Sequence, residues 1–404
     1  MSGAGQPKQK PHRTGAITQL CACLLLAALG ACQKSASEKA PDLAAARPRA
    51  SASASATAAP LPLPGYIPTS LAAAAVSTTA QGPEKVDFQD VAMGTNVHMI
   101  AYTNPQVDAE HIKLAINNAL LEMRRLEGLL SEWHDDSEVG RINANPEQWV
   151  NVGPETFAVI SRAQDESKAS GGAFDITFQA MSNIWKFGSA AEAQPNLPNP
   201  AEIAQRRKLV DYRSVELDPK TLAVRIPKDH KIGLGGIAKG YIVDRAVDVL
   251  RKFGVQTFLV QAGGDLFGAG RKPDGSAWIS GIQDPRQVEG VSFATIELTD
   301  HAFSTAGDYA RSYIIGKRRY HHIIDPHTGY PATASRSVTV WADDATTADA
   351  IDDAVFILGP EKGLKLVAAT PGVGVVIVDK NNKVWVSPRL EGKVRVTRQP
   401  TDGI

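Results

Sequence analysis

Cysteine is scarce in this chain: three in 404 residues, Cys21, Cys23 and Cys32, all near the N-terminus. A disulfide framework and a cysteine-ligated zinc site are therefore excluded from everything beyond Cys32. Net charge is absent too, with 43 Lys and Arg against 43 Asp and Glu. That removes the basic surplus by which a nucleic-acid binder meets phosphate backbones. Beyond Ala31 no apolar run reaches the roughly 20 residues of a membrane span. What remains is a chain 43% apolar, enough for a sizeable core.

The first residues carry Lys8, Lys10 and Arg13, with no acid before Glu38. A mostly apolar stretch from Gly15 to Ala31 follows. A basic start, a short apolar segment and small residues at its end make a secretory signal. It closes on Leu29-Gly30-Ala31-Cys32, which resembles a bacterial lipobox, so residues 1–31 are expected to be removed and Cys32 to be lipidated. Residues 32–85 are Ala, Ser, Pro and Thr with almost no aromatic, exemplified by Ser51-Ala52-Ser53-Ala54-Ser55-Ala56 and Pro60-Leu61-Pro62-Leu63-Pro64. Such a segment cannot bury enough surface to offset its ordering entropy, and it is expected to be a disordered tether. The expected location is the cell envelope, on a bacterial membrane by a lipid anchor, facing the periplasm or the exterior.

Residues 86–404 should form the folded unit. Ile112, Ile116, Leu120, Met123, Leu126 and Leu130 recur at three- and four-residue steps, the pattern of an amphipathic helix. Two more helices are expected from Phe157 to Lys168, before Ser170-Gly171-Gly172, and from Lys239 to Phe253, before Gly254. Strands are expected at Val97–Tyr102, Ala223–Ile226, Thr257–Ala262, Ser276–Gln283, Ser292–Leu298, Ser337–Trp341, Gly374–Asp379 and Lys383–Ser387. Strands and helices alternate without a regular βαβ rhythm. The expected class is α+β, mixed β-sheets flanked by helices, in one compact catalytic unit.

Four stretches could carry chemistry. Gly233-Leu234-Gly235-Gly236-Ile237-Ala238-Lys239-Gly240 opens a helix, and its spacing fits a dinucleotide fingerprint. Its glycines would let backbone N–H groups approach a pyrophosphate, though a buried strand-to-helix turn needs the same glycines. Asp349, Asp352 and Asp353 stand at i, i+3 and i+4 and share a helix face. They suit a hard cation, magnesium or calcium, or simply an acidic helix start. Tyr320 to Pro331 is dense in His and turn residues. A His there could take a proton from a hydroxyl, and a His pair could bind a transition metal. Trp133 and Phe174, in loops beside glycines, could stack on a flat ring or merely pack.

In order, the chain reads Met93-Gly94-Thr95, Leu130-Ser131-Glu132-Trp133, Ser137 to Asn143, and Gly171-Gly172-Ala173-Phe174-Asp175. Then come Gly235 to Asp244, Ala262-Gly263-Gly264-Asp265, Ser304 to Tyr309, the His322-Ile323-Ile324-Asp325-Pro326 run and the Asp349 helix. This ordered set resembles the ApbE family of FAD:protein FMN transferases over nearly all of the folded part. The resemblance implies magnesium-dependent attack of an acceptor Thr or Ser hydroxyl on the FMN phosphorus of FAD, releasing AMP. It implies metal ligation by Asp349, Asp352, Asp353 and the main-chain carbonyl of Gly236. Met93, Trp133, Ala173, Phe174, Asp175, Lys239 and Ile324 would line the flavin or its phosphates, and His322 would be the base. The implied partners are FAD and exported acceptor flavoproteins, such as subunits of ion-translocating redox complexes.

Three positions depart from the family pattern. Gly233 stands where an Asp is usual, Asp353 where a Thr is usual, and Ile176 where a Pro is usual. An added carboxylate at Asp353 should tighten the metal or favour calcium. Three other functions remain open from sequence: a hydrolase splitting FAD into FMN and AMP, a non-catalytic flavin-binding lipoprotein, and a metal-scavenging lipoprotein using His321 and His322.

Overall fold

The computed structural model describes residues 82–187 and 195–404; the signal and nearly all of the tether lie outside the described residues. Among those described, the helices in chain order are α1 (Ala109–Leu130), α2 (Glu138–Ala144), α3 (Pro154–Ala169), α4 (Pro200–Arg206), α5 (Ala238–Lys252) and α6 (Ala345–Ala369), the last interrupted at Gly359. The break has a direct cause: Gly359 takes φ 71 and Pro360 lacks the N–H needed to continue the ladder.

An eight-stranded sheet runs in the order 85–92, 95–102, 258–262, 265–269, 301–307, 335–342, 374–379, 384–386. The class is α+β with helices flanking the sheets, as expected. Where mixed sheets were expected, each strand pairing among the described residues is antiparallel. That geometry also removes the parallel βαβ context a dinucleotide fingerprint requires, so the Gly233–Ala238 spacing is a turn of another kind.

One sheet face is covered by α1, α5 and α6. Ile112, Ile116, Leu120, Met123, Leu126 and Leu130 of α1 are all buried, so the periodic face is the packed one. The other face meets a three-stranded sheet of 278–283, 292–298 and 394–396 around Trp278, Phe293 and Trp341. A third, aromatic cluster joins Trp185, Tyr313, Tyr320 and Ile324 beside the hairpin 312–315/318–321.

The strands 95–102, 258–262, 292–298 and 374–379 match the sequence reading within two residues. Unforeseen were the strands 85–92, 265–269 and 301–307 and the 312–321 hairpin. The first of these pairs with 95–102 through a tight turn in which Met93 (φ 53) and Gly94 (φ 64) are both left-handed.

The contact of α5 with α6 positions the site. A Cβ on Gly240 would collide with the Ala345 carbonyl and come within 2.8 Å of the Asp349 Cβ. Only glycine lets the two backbones approach so closely. Gly240→Ala is therefore expected to destabilise the fold by about 1–3 kcal/mol, the usual cost of overpacking. Denaturant unfolding measures it, and an unchanged midpoint would mean the helices can part freely.

Candidate active site

The helix α5 has no side-chain cap of its own at Ile237. Its start is met instead by α6. The Asp349 carboxylate accepts from the Gly240 N–H at 2.9 Å and from the Lys239 ammonium at 3.0 Å. The start of α6 is fixed in return by Asp244 of α5, which accepts from the N–H groups of Ala345 (2.7 Å) and Thr346 (2.8 Å). Asp344 caps the same helix through the Thr347 N–H at 2.7 Å. The two helices thus clasp each other, and the acidic face of α6 is pinned against the glycine turn.

Asp349 and Asp352 are buried, and Asp353 is half-buried. The turn is equally close: a Cβ on Gly236 would lie 3.2 Å from Asp353 Oδ2 and 3.1 Å from Phe174 Cε2. A fourth carboxylate, Asp265, is 1% exposed and was not singled out as a site residue from sequence. The Ser304 hydroxyl lies 2.6 Å from Asp265 Oδ1 and 2.7 Å from Asp352 Oδ2. Lys239 Nζ stands 3.1 Å from Asp265 Oδ2. Among the described residues, no three His, Cys, Asp or Glu side chains already converge in metal-holding geometry. Three of the aspartates are already engaged: Asp349 by Lys239 and the Gly240 N–H, Asp352 by Ser304, and Asp265 by Ser304 and Lys239.

This gathering is electrostatically costly. Burial, then Asp265, pushes Asp349 up to about 7. Burial pushes Asp353 up to about 6, against the pull of Lys239. Burial with Asp353 and Asp349 holds Asp352 well above its ordinary value. Burial works against the Lys239 charge, yet Asp265, Asp349 and Asp352 together hold its pKa well above normal. Carboxylates that resist ionisation in one another's company mark a candidate functional site.

The other site candidates sit around this centre in different ways. Ala173 and Phe174 are buried in the loop entered through Gly171 (φ 65) and Gly172 (φ 83). Asp175 is buried, but its carboxylate is engaged by the Thr177 N–H (2.8 Å), the Thr177 hydroxyl (2.6 Å) and the Tyr212 N–H (2.9 Å). Its visible work is to shape the loop. Trp133 is 74% exposed, an aromatic face open to solvent. The preceding Glu132 lies 3.5 Å from where a Gly235 Cβ would be, so the Trp133 loop touches the glycine turn. Met93 donates its N–H to Glu127 at 2.9 Å, one helical turn before that loop. Ile324 is buried in the aromatic cluster and pairs with Pro331.

His321 and His322 differ sharply. His321 is buried, with Nε2 2.8 Å from the Ala332 carbonyl and Nδ1 accepting from the Ile323 N–H. With both nitrogens occupied it cannot serve a metal pair. His322 is half-buried, its Nδ1 has no hydrogen-bond partner among the described residues, and its main-chain N–H donates to the Arg311 carbonyl at 3.2 Å. Burial, then Arg311 and His321, lowers its pKa to about 3, so it is a neutral imidazole.

The family model of the ApbE family matches residues 93–377. The chain belongs to the ApbE family. It is 30% identical over 310 residues to the FAD:protein FMN transferase of Vibrio cholerae, covering 75% of this chain and 91% of the relative. It is 29% identical over 326 residues to that of Treponema pallidum, covering 76% and 88%. Among solved structures, the ApbE protein of Thermotoga maritima matches with TM-score 0.68 and 34% identity, over 77% of this chain and all of that one. The flavin transferase ApbE of Vibrio cholerae matches with TM-score 0.67 and 29% identity, over 77% and 99%.

Two of the departures from the ApbE pattern touch each other. The Gly233 N–H donates to the Ile176 carbonyl at 2.9 Å. The volume a side chain at 233 would need is filled by Gln179, whose Oε1 lies 3.0 Å from the position of a Cβ there. The third departure, Asp353, faces the Gly236 turn, its Oδ2 3.2 Å from where a Gly236 Cβ would be.

Proposed function

We propose that this chain transfers FMN from FAD to a Thr or Ser hydroxyl of an acceptor flavoprotein and releases AMP. A magnesium ion held by Asp349, Asp352, Asp353 and the Gly236 carbonyl would assist it. The observation that carries the reading is the acidic face of α6 lying against the glycine turn in a chain of this family. Every donor there is oxygen, the set a hard cation takes; calcium would accept the same atoms. When bound, the ion would neutralise pyrophosphate charge and polarise the phosphorus under attack.

The chain's own residues account for the rest. Gly236 carries no side chain, so a phosphate can approach the backbone where Phe174 and Asp353 already leave little room. Lys239 brings a cation to the same place. The acceptor hydroxyl oxygen forms the new bond to the FMN phosphorus, and the P–O bond to AMP breaks with its electron pair leaving on AMP. The hydroxyl proton goes to His322. Phosphoryl transfer of this kind needs positioning and charge neutralisation above all.

The full chain incubated with FAD, Mg²⁺ and a Thr-containing acceptor peptide should yield the FMN-peptide phosphoester and AMP, and a chelator should stop it. Free FMN with no adduct would mean a hydrolase, and intact FAD a passive binder. Trp133 would supply a stacking face for the flavin. Trp133→Ala is expected to raise the KM for FAD about tenfold, stacking being worth about 1–3 kcal/mol. Trp133→Tyr should stay within about threefold of wild type; equal losses for the two variants would refute stacking. An anchor at Cys32 would hold the enzyme at a membrane on the far side of the export machinery. Cys32→Ser should then abolish acyl labelling and membrane sedimentation, and a variant still sedimenting with membranes would exclude that anchor.

A further inference from the structure

Lys239 is placed between two carboxylates on different elements. Its ammonium lies 3.0 Å from Asp349 Oδ1 on α6 and 3.1 Å from Asp265 Oδ2 on the strand 265–269. Asp349 belongs to the proposed metal set and Asp265 does not. The ammonium therefore stands where it competes with a metal for Asp349, and it has one other carboxylate within reach. Asp265 is held rigidly for that task. It is 1% exposed, and its Oδ1 is 2.6 Å from the Ser304 hydroxyl, which also reaches Asp352. Its Oδ2 receives no hydrogen bond of good angle from any described residue, which leaves the ammonium as its compensation.

We infer that Asp265 is a positioning residue that retains the Lys239 ammonium and so frees Asp349 for a divalent ion. The inference rests on the metal reading above and extends it. Lys239 serves as the site's internal cation before the ion binds. When an ion takes Asp349, the ammonium stays on Asp265, close to the phosphates, rather than being driven out or blocking the ion. Without the Asp265 charge, Asp349 is the only carboxylate touching Lys239, and the ammonium contests it with the ion. Groups behind metal ligands commonly set affinity by about 10–100-fold.

The test is calorimetric titration of Mg²⁺ alone into the metal-free full chain, without FAD and without turnover. Asp265→Asn is expected to weaken Mg²⁺ binding by about 10–100-fold. In a Lys239→Met background the same Asp265→Asn change should cost less than about threefold, because the competitor is gone. A similar loss in both backgrounds would show that Asp265 acts directly on the ion, and would overturn the inference. Should Asp265→Asn fold poorly, wild type supplies an independent reading through the ¹⁵N-labelled Lys239 ammonium. Its NMR signal should stay protected from exchange through Mg²⁺ saturation, and its loss on Mg²⁺ addition would overturn the inference. A wild-type chain that binds no Mg²⁺ removes the metal reading and the inference with it. Tight binding by both wild type and Asp265→Asn removes the inference alone.

Discussion

Asp349→Asn is expected to cut flavin transfer about a thousandfold or more while leaving the fold intact. The side chain is 3% exposed, and its Oδ2 accepts the Gly240 N–H at 2.9 Å. Asparagine keeps the size and one carbonyl acceptor for that N–H, so the close α5–α6 contact survives. What it loses is charge at the atom shared by Lys239 and the proposed ion. A metal ion supplies several kcal/mol of charge stabilisation, and each 1.4 kcal/mol is tenfold in rate. The stability side has the opposite sign. Asp349 is pushed up to about 7 by burial and by Asp265. A carboxylate with a raised folded pKa binds its proton more tightly in the native state. It therefore costs stability as pH rises from the ordinary carboxylate range through about 7. Asparagine does not titrate and escapes that cost. In EDTA at pH 8 the variant should melt no lower than wild type. The flavinylation assay and a thermal melt check both halves. Activity above half of wild type would displace the metal from this helix, and a large drop in melting temperature would recast Asp349 as a structural residue.

The core and the acidic centre were legible in the sequence to different depths. The buried face of α1 could be read because helical periodicity leaves a repeating mark. The strands 258–262 and 374–379 could be read as short apolar runs rich in Val, Ile and Leu. The strand 301–307 could not. His301-Ala302-Phe303-Ser304-Thr305-Ala306-Gly307 is almost all small or polar, yet is largely buried. Small side chains let both faces be covered closely, and this erases the alternation a half-exposed strand shows. The same concealment hid Asp265 and Ser304. Each looks like a turn or strand residue in sequence, and only the pairing of 265–269 with 301–307 brings them behind the aspartates of α6. Asp175 shows the converse. The ApbE resemblance implied that it lines the flavin or its phosphates, and what the fold adds is that its carboxylate accepts from Thr177 and Tyr212. Residue identity and spacing marked the aspartates and the glycine turn as candidates, and the resemblance to the ApbE family joined them into one site. Which group each one bonds to depended on contacts between elements far apart in the chain.

His322→Ala is expected to lower kcat for transfer by about 10²–10⁴-fold, the usual contribution of a positioned base. The KM for FAD should stay within about threefold, because the imidazole is proposed to serve the acceptor hydroxyl rather than the flavin. The pH dependence is more diagnostic than the size. An unperturbed His near 6.5 would lose its base form as pH falls through that value. Here burial, then Arg311 and His321, lowers the pKa to about 3. The neutral, proton-accepting form therefore persists from alkaline pH down to near 3. Wild-type kcat/KM, which reports the free enzyme, should show no acid limb near 6.5 that His322→Ala removes. Bound FAD changes the balance. In the proposed site its pyrophosphate would bring negative charge toward the cations, Arg311 and Lys239, that help keep the imidazole neutral. Opposite charge favours the imidazolium and raises the pKa toward the range where a base works well. The limb in kcat should thus lie at higher pH than any limb in kcat/KM. Profiles from pH 5 to 9 on both enzymes separate the cases. A limb near 6.5 in wild-type kcat/KM that vanishes in His322→Ala would show an ordinary exposed histidine. A variant keeping half of the wild-type kcat would show that the proton leaves by another route.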